Sequence, residues 1–245
     1  MSSAVYVRTE VRRTLRNRRF LVFSLGFPLV LFLIVAGANK DVRDFAGTGI
    51  SFVLYYMVGM VSWGSMAAVI AAGARIAAER QVGWTRQLRL TPLSTRAYFA
   101  TKVLGGYLLA AASIAVLYLA GVAYGVRLPA GSWVRMTVLI LIALIPFAVL
   151  GILFGHLLST ESMGPAVGGV TALFALLGGA WGPIAGSSDL LNQLAQLLPS
   201  YWLTQAAHSA FTGQAWPPKA WVVLIVWTAV LSWLARGAYL RDTCR

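Results

Sequence analysis

Apolar runs that approach the ~20 residues a helix needs to cross a hydrocarbon core recur along this chain, and they leave little room for a soluble fold. They lie at about 20–38, 50–74, 103–126, 134–158, 165–182 and 219–234. In lipid every backbone N–H and C=O must find its partner inside the protein, so only helices or closed barrels span. The strict alternation of a membrane barrel is missing here. The expectation is an all-α integral membrane protein with six transmembrane helices, the first kinked at Pro28 and the fourth interrupted at Pro146. Composition agrees: 59% of residues are hydrophobic, 11% are charged, and the mean hydropathy is +0.75.

The formal charge of +13 raises nucleic-acid binding as a possibility, but the basic residues cluster at the ends of apolar runs, where the positive-inside rule puts them. No nucleic-acid partner is expected. Residues 2–19 carry Val7, Val11 and Leu15 on one helical face and Arg12, Arg16 and Arg19 on another, the pattern of an interfacial helix lying on anionic headgroups. A solvated basic tail that only sets orientation is the plainer alternative. Six spans put both termini on one side. Lys and Arg number six in the N-terminal segment, six in 75–102 and three in the tail, against Lys40, Arg43, Arg127, Arg135 and Lys219 opposite. Fifteen against five places both termini and the 75–102 loop in the cytoplasm. The stretch 183–218 is too broken by Pro199, Gly213 and Pro217-Pro218 to span cleanly. It reads as an external re-entrant segment of short helices, with a seventh span as the alternative. No signal peptide is expected. Arg over Lys, with much Ala and Gly, suggests a bacterial chain, hence the cytoplasmic membrane.

No catalytic, cofactor-binding or metal site is expected. His156 and His208 lack metal-ligand spacing, and His156 reads as a hydrogen-bonded structural histidine. Cys244 stands alone, no carboxylates form a credible acid–base pair, and no phosphate-binding Gly-x-x-x-x-Gly-Lys-Ser/Thr loop occurs. Ionisable groups within the spans are nearly absent, which argues against ion coupling. Aromatic residues such as Tyr55, Tyr56 and Trp63 would suit a lipophilic substrate path, although ordinary packing and interfacial anchoring explain any single one of them better. Gly164 with Gly168, and Gly178 with Gly182, have the Gly-x-x-x-Gly spacing that lets helices or subunits meet closely.

The most specific signal lies between the second and third runs. Arg75–Arg80 extends the second run past the membrane, Gly83 breaks it, and Trp84, Leu88 and Leu90 alternate with Arg86 and Arg89. Thr91-Pro92 turns the chain, and Ser94 is a good N-cap for a helix starting near Thr95. The string Glu79-Arg80-x-x-Gly83-x-x-Arg86-Gln87-Leu88-Arg89-Leu90-Thr91-Pro92-Leu93-Ser94 resembles the loop of permease subunits in type-2 ATP-binding-cassette (ABC) exporters, drug exporters most closely. The resemblance extends to the whole layout: a basic interfacial (elbow) helix, six spans and a broken segment before the last.

That resemblance implies a transport subunit, not itself an enzyme, paired with a second copy or a sister permease and driven by a separate ATPase subunit that binds ATP and magnesium. It also implies that loop 75–102 couples to that ATPase through Glu79, Gly83, Arg86, Leu88, Thr91, Pro92 and Leu93, and that the turn holding Glu161 makes a smaller second contact. Export of a drug, lipid-like molecule or peptide follows. A non-transporting scaffold that recruits a cytoplasmic protein through the same loop is the alternative.

Overall fold

The computed structural model describes residues 18–45, 49–83, 95–182, 189–213 and 215–243. The expected elbow helix, apart from Arg18 and Arg19, lies outside them, as do Arg86, Leu88, Thr91, Pro92 and Leu93 of the loop. The described residues are helical and contain no strand. In order they form α1 (Arg18–Ala38), α2 (Phe52–Ala71), α3 (Ala74–Gln81), α4 (Thr95–Ala123), α5 (Ala130–Ala143), α6 (Ile145–Leu157), α7 (Thr160–Leu177), α8 (Asp189–Ala195), α9 (Pro199–Thr212) and α10 (Pro218–Thr243).

Local chemistry sets these boundaries. Ser51 caps α2 by accepting from the Leu54 N–H at 3.3 Å, which satisfies one of the free donors of a helix start. The fourth apolar run divides where expected: α5 ends at Ala143, and α6 begins at Ile145 with Pro146 in its first turn. Proline has no N–H to continue the ladder, yet it fits the first turn of a new helix. Ser159 caps α7 through the Ser162 N–H at 3.3 Å. Gly213, with φ of 75°, closes α9 in the left-handed conformation that glycine adopts without strain.

Four stretches among the described residues are long and apolar enough to cross a membrane: Phe52–Gln81, Ala97–Ala123, Ala130–Leu157 and Pro218–Asp242. The first and fifth expected spans have helices in place, but shorter apolar lengths. In α1 the apolar helix is Ser24–Ala38. In α7 the first turn is polar and holds Glu161. The last helix does not stop near residue 234; it runs on to Thr243, carrying Arg236, Arg241 and Asp242 with it.

The bundle is built around α2. Of the best membrane-length window in Phe52–Gln81, 89% is buried, against 22% for Pro218–Asp242. A helix apolar on every side belongs at a centre, and α2 touches α1, α4, α6, α7 and α9. Phe32, Met57, Met60, Met66, Ile70 and Phe147 are among its fully buried large side chains. On the periphery, α10 lies along α6, and α9 lies along α5. Polar pins tie other neighbours: α4 to α5, the end of α4 to α1, and α10 to the turn before α9. Tyr107 donates to the Leu141 carbonyl at 3.0 Å, Tyr124 donates to the Leu33 carbonyl at 3.2 Å, and Trp227 donates to the Leu197 carbonyl at 2.8 Å. Each gives a buried or half-buried hydroxyl or indole the partner that an apolar setting demands.

Candidate functional site

A linked set of polar and charged side chains lies at one end of the bundle, where α3 ends, α4 and α7 begin, and α6 and α10 finish. Glu79 and Lys102 form its centre. The Lys102 Nζ lies 2.5 Å from Glu79 Oε1, and the Tyr98 hydroxyl donates to Glu79 Oε2 at 2.8 Å. Both charges are buried, Glu79 at 6% and Lys102 at 4% exposure. The Lys102 ammonium also sits 5.2 Å from the centre of the Tyr98 ring, close enough for a cation–π attraction. Desolvation makes such a pair costly to bury, so it adds little net stability; breaking it, however, strands an unpaired charge. The pair joins the last turn of α3 to the first turns of α4. The described chain on either side of residues 84–94 is therefore held together by this pair.

Next along α3, Arg80 faces the opposite side. Its Nη1 donates to the carbonyls of Gly155 at 3.0 Å and Leu158 at 3.5 Å. These are last-turn carbonyls of α6 that have no helical donor and attract positive charge. Arg80 Nε is 2.6 Å from Asp242 Oδ2, an ionic contact in which the N–H is not well aimed at the oxygen. His156 Nδ1 meets the same oxygen at 3.2 Å; because a carboxylate only accepts, Nδ1 carries the proton. Phe99 and Tyr239 stand edge-on to the imidazole at 5.8 and 5.6 Å. Finally, Thr160 donates to Gln81 Oε1 at 2.7 Å, which ties the start of α7 to the end of α3.

The close approach of α2 and α3 to α6 makes this arrangement possible. A Cβ on Gly73 would lie 1.8 Å from the Gly151 carbonyl oxygen, and one on Gly155 would lie 2.6 Å from the Gly73 carbonyl oxygen. Just beyond α3, Gly83 has φ of 68° and its N–H meets the Arg80 carbonyl at 3.0 Å, so the chain turns away where the sequence suggested a break.

Several expected site residues meet here. Glu79 and Gly83 frame the loop's departure, and the exposed Glu161 belongs to the α7 turn held by Gln81. The expected path residues do not. At 1.5 Å per residue, Tyr55 lies roughly 36 Å along the helix from Glu79. Tyr55, Tyr56 and Trp63 are each 8% exposed. Tyr55 donates to the Gly179 carbonyl at 3.2 Å, Tyr56 stacks on Phe52 at 5.6 Å, and Trp63 packs between Phe27 and Trp181 at 5.6 and 5.3 Å. Of the glycines, Gly164 and Gly168 lie on an exposed face with open space beside them, and Gly182 also has open space. Gly178 is filled from within the chain, by Ser200 of α9. Sequence reasoning placed Arg80 on the helical extension of the second run and did not foresee its tie to Asp242, because no local pattern joins residues so far apart. The histidine reading anticipated a hydrogen-bonded His156 but not its partner.

A helical bundle with four stretches of membrane-spanning length among its described residues defines a multi-pass membrane protein. The comparisons make this particular. Residues 44–236 match the model of the family described as "ABC-2 family transporter protein", and the chain belongs to that family. It is 28% identical over 235 residues, 95% of this chain and 94% of the other, to the "Putative transport permease YvfS" of Bacillus subtilis (strain 168). The chain is thus a membrane permease of an ABC transporter, a class that works with an ATPase partner.

Proposed function

We propose that this permease exports an amphipathic or lipophilic substrate from a bacterial cytoplasm, with six spans and both termini cytoplasmic. It pairs with a second copy or a sister permease. Energy comes from ATP and magnesium bound in a separate ATPase subunit, which grips the loop through Gly83, Arg86, Leu88, Thr91, Pro92 and Leu93, with Glu161 as a smaller contact. The observation that carries this reading is the buried Glu79–Lys102 pair, with Tyr98 on the same carboxylate.

Because the pair ties both ends of the loop together, a pull on residues 82–94 reaches α2, through α3, and α4 together. Arg80 carries the same pull to α6 and α10. Glu79 then acts as a positioning residue beneath the docking surface, since its carboxylate is already satisfied inside the chain. Gly164 and Gly168, on the exposed face of α7, are the glycines that suit contact with a second permease. The basic loop and tail favour cytoplasmic termini.

The test is co-purification of the full chain with the ATPase encoded beside it, followed by ATP hydrolysis in lipid. A stable complex whose hydrolysis is lost in Gly83→Pro, with membrane insertion intact, is expected. A folded permease that binds no ATPase would reject the reading.

A further inference from the structure

Between α6 and α10 lies a cleft of about 430 Å³. That volume is within the range of roughly 300–1,000 Å³ typical of pockets for drug-sized ligands, room for a headgroup and the first part of its chains. Leu153, Leu157, Trp233 and Leu234 give it apolar walls, and Arg236 and Arg241 stand at its rim. A smaller chamber of about 230 Å³ adjoins it, sharing Leu157, Ala238 and Arg241, and is floored by Arg80, His156 and Asp242. The shape is amphipathic: an apolar trough leading to a polar pocket.

Charge identifies the occupant. Three guanidiniums surround the joined space against the single carboxylate of Asp242, which Arg80 already pairs. Arg236 and Arg241 are exposed, and neither has an acidic partner among the described residues. Two uncompensated arginines beside an apolar trough at a helix end suit a phosphate with acyl chains attached. His156 adds an independent observation. It is 5% exposed, its Nδ1 is committed to Asp242, and its Nε2 is buried with no hydrogen-bond partner. With Nδ1 protonated, Nε2 is an acceptor without a donor, and a hydroxyl-bearing headgroup would supply one. Trp233 and Leu240, which line the cleft, are 73% and 51% exposed, so its wall on α10 is open to lipid.

We propose that this cleft holds one anionic glycerophospholipid of the phosphatidylglycerol type. Its phosphate sits on Arg236 and Arg241, and its acyl chains lie against the leucines and Trp233. The bound lipid bridges α6 to α10 beside the Arg80–Asp242 contact. The inference rests on the membrane placement of the chain and not on ATPase docking, so either can fail alone.

The experiment is native mass spectrometry of the full chain from membranes, with the fraction retaining phosphatidylglycerol as the readout. Arg236→Gln with Arg241→Gln should lower retention at least tenfold. Gly237→Phe changes no charge; Gly237 lines the cleft and has open space where a side chain would stand, so the phenyl ring should obstruct the trough and lower retention several-fold. Retention equal to wild type in either variant overturns the proposal. Glycerol 3-phosphate at millimolar concentration should displace nothing; displacement by it would mean a headgroup-anion site alone and would equally overturn the lipid assignment.

Discussion

Glu79 and Lys102 are opposite charges buried where neither is tolerated alone. Lys102→Met should cost about 3–5 kcal/mol, because it leaves the Glu79 carboxylate buried without a counter-charge, with only the Tyr98 hydroxyl on it. The double variant Glu79→Gln, Lys102→Met should recover most of that loss, because a neutral amide and a thioether carry no stranded charge. Thermal unfolding of Glu79→Gln, Lys102→Met and the double variant in detergent measures the coupling. If the double variant lost as much as the two single variants added together, the pair would not be the clamp described. Arg80 shows how one side chain can serve two purposes: it neutralises the carbonyl end of α6 and holds Asp242.

Among the elements, the packing of α2 and α3 against α6 decides whether that clamp forms. Gly73→Val would place a Cβ 1.8 Å from the Gly151 carbonyl oxygen. The helices must then part, at a cost of at least about 1–3 kcal/mol, and the hydrogen bond from Thr160 to Gln81 should be lost. Hydrogen exchange of the first turn of α7 would report this as faster amide exchange, and unchanged protection would argue against it. Gly73 was silent in the sequence. Glycine spacing drew attention to the fifth run, whereas the tightest glycine approaches are at Gly59 on α2, against the Ala180 carbonyl, and at Gly73 between α2 and α3, against the Gly151 carbonyl. What was legible was set locally: the break at Pro146, the turn at Gly83 and the helix start at Thr95 each follow from the residue itself or its neighbours. The Asp242 contact was not legible, because it joins α3 to the far end of α10 and depends on α10 continuing past its apolar stretch.

For the whole molecule, the unfilled side of α7 is the place to look for a second permease. With Cys244 replaced by serine, Gly168→Cys should form an oxidative cross-link between two copies in membranes if they meet along this face. Gly178→Cys should not, because Ser200 of the same chain already occupies its neighbourhood. Equal cross-linking at both positions, or none at Gly168, would contradict that arrangement.

The central claim is that the Glu79–Lys102 pair carries the ATPase's motion into the bundle. Charge reversal tests it most directly: Glu79→Lys, Lys102→Glu, and both together, each assembled with the partner ATPase and assayed for substrate-stimulated ATP turnover in lipid. The account predicts that each single reversal, which sets like charges face to face, lowers stimulated turnover at least tenfold while the ATPase stays bound, and that the double reversal restores much of it. Full stimulated turnover in either single variant would contradict the claim.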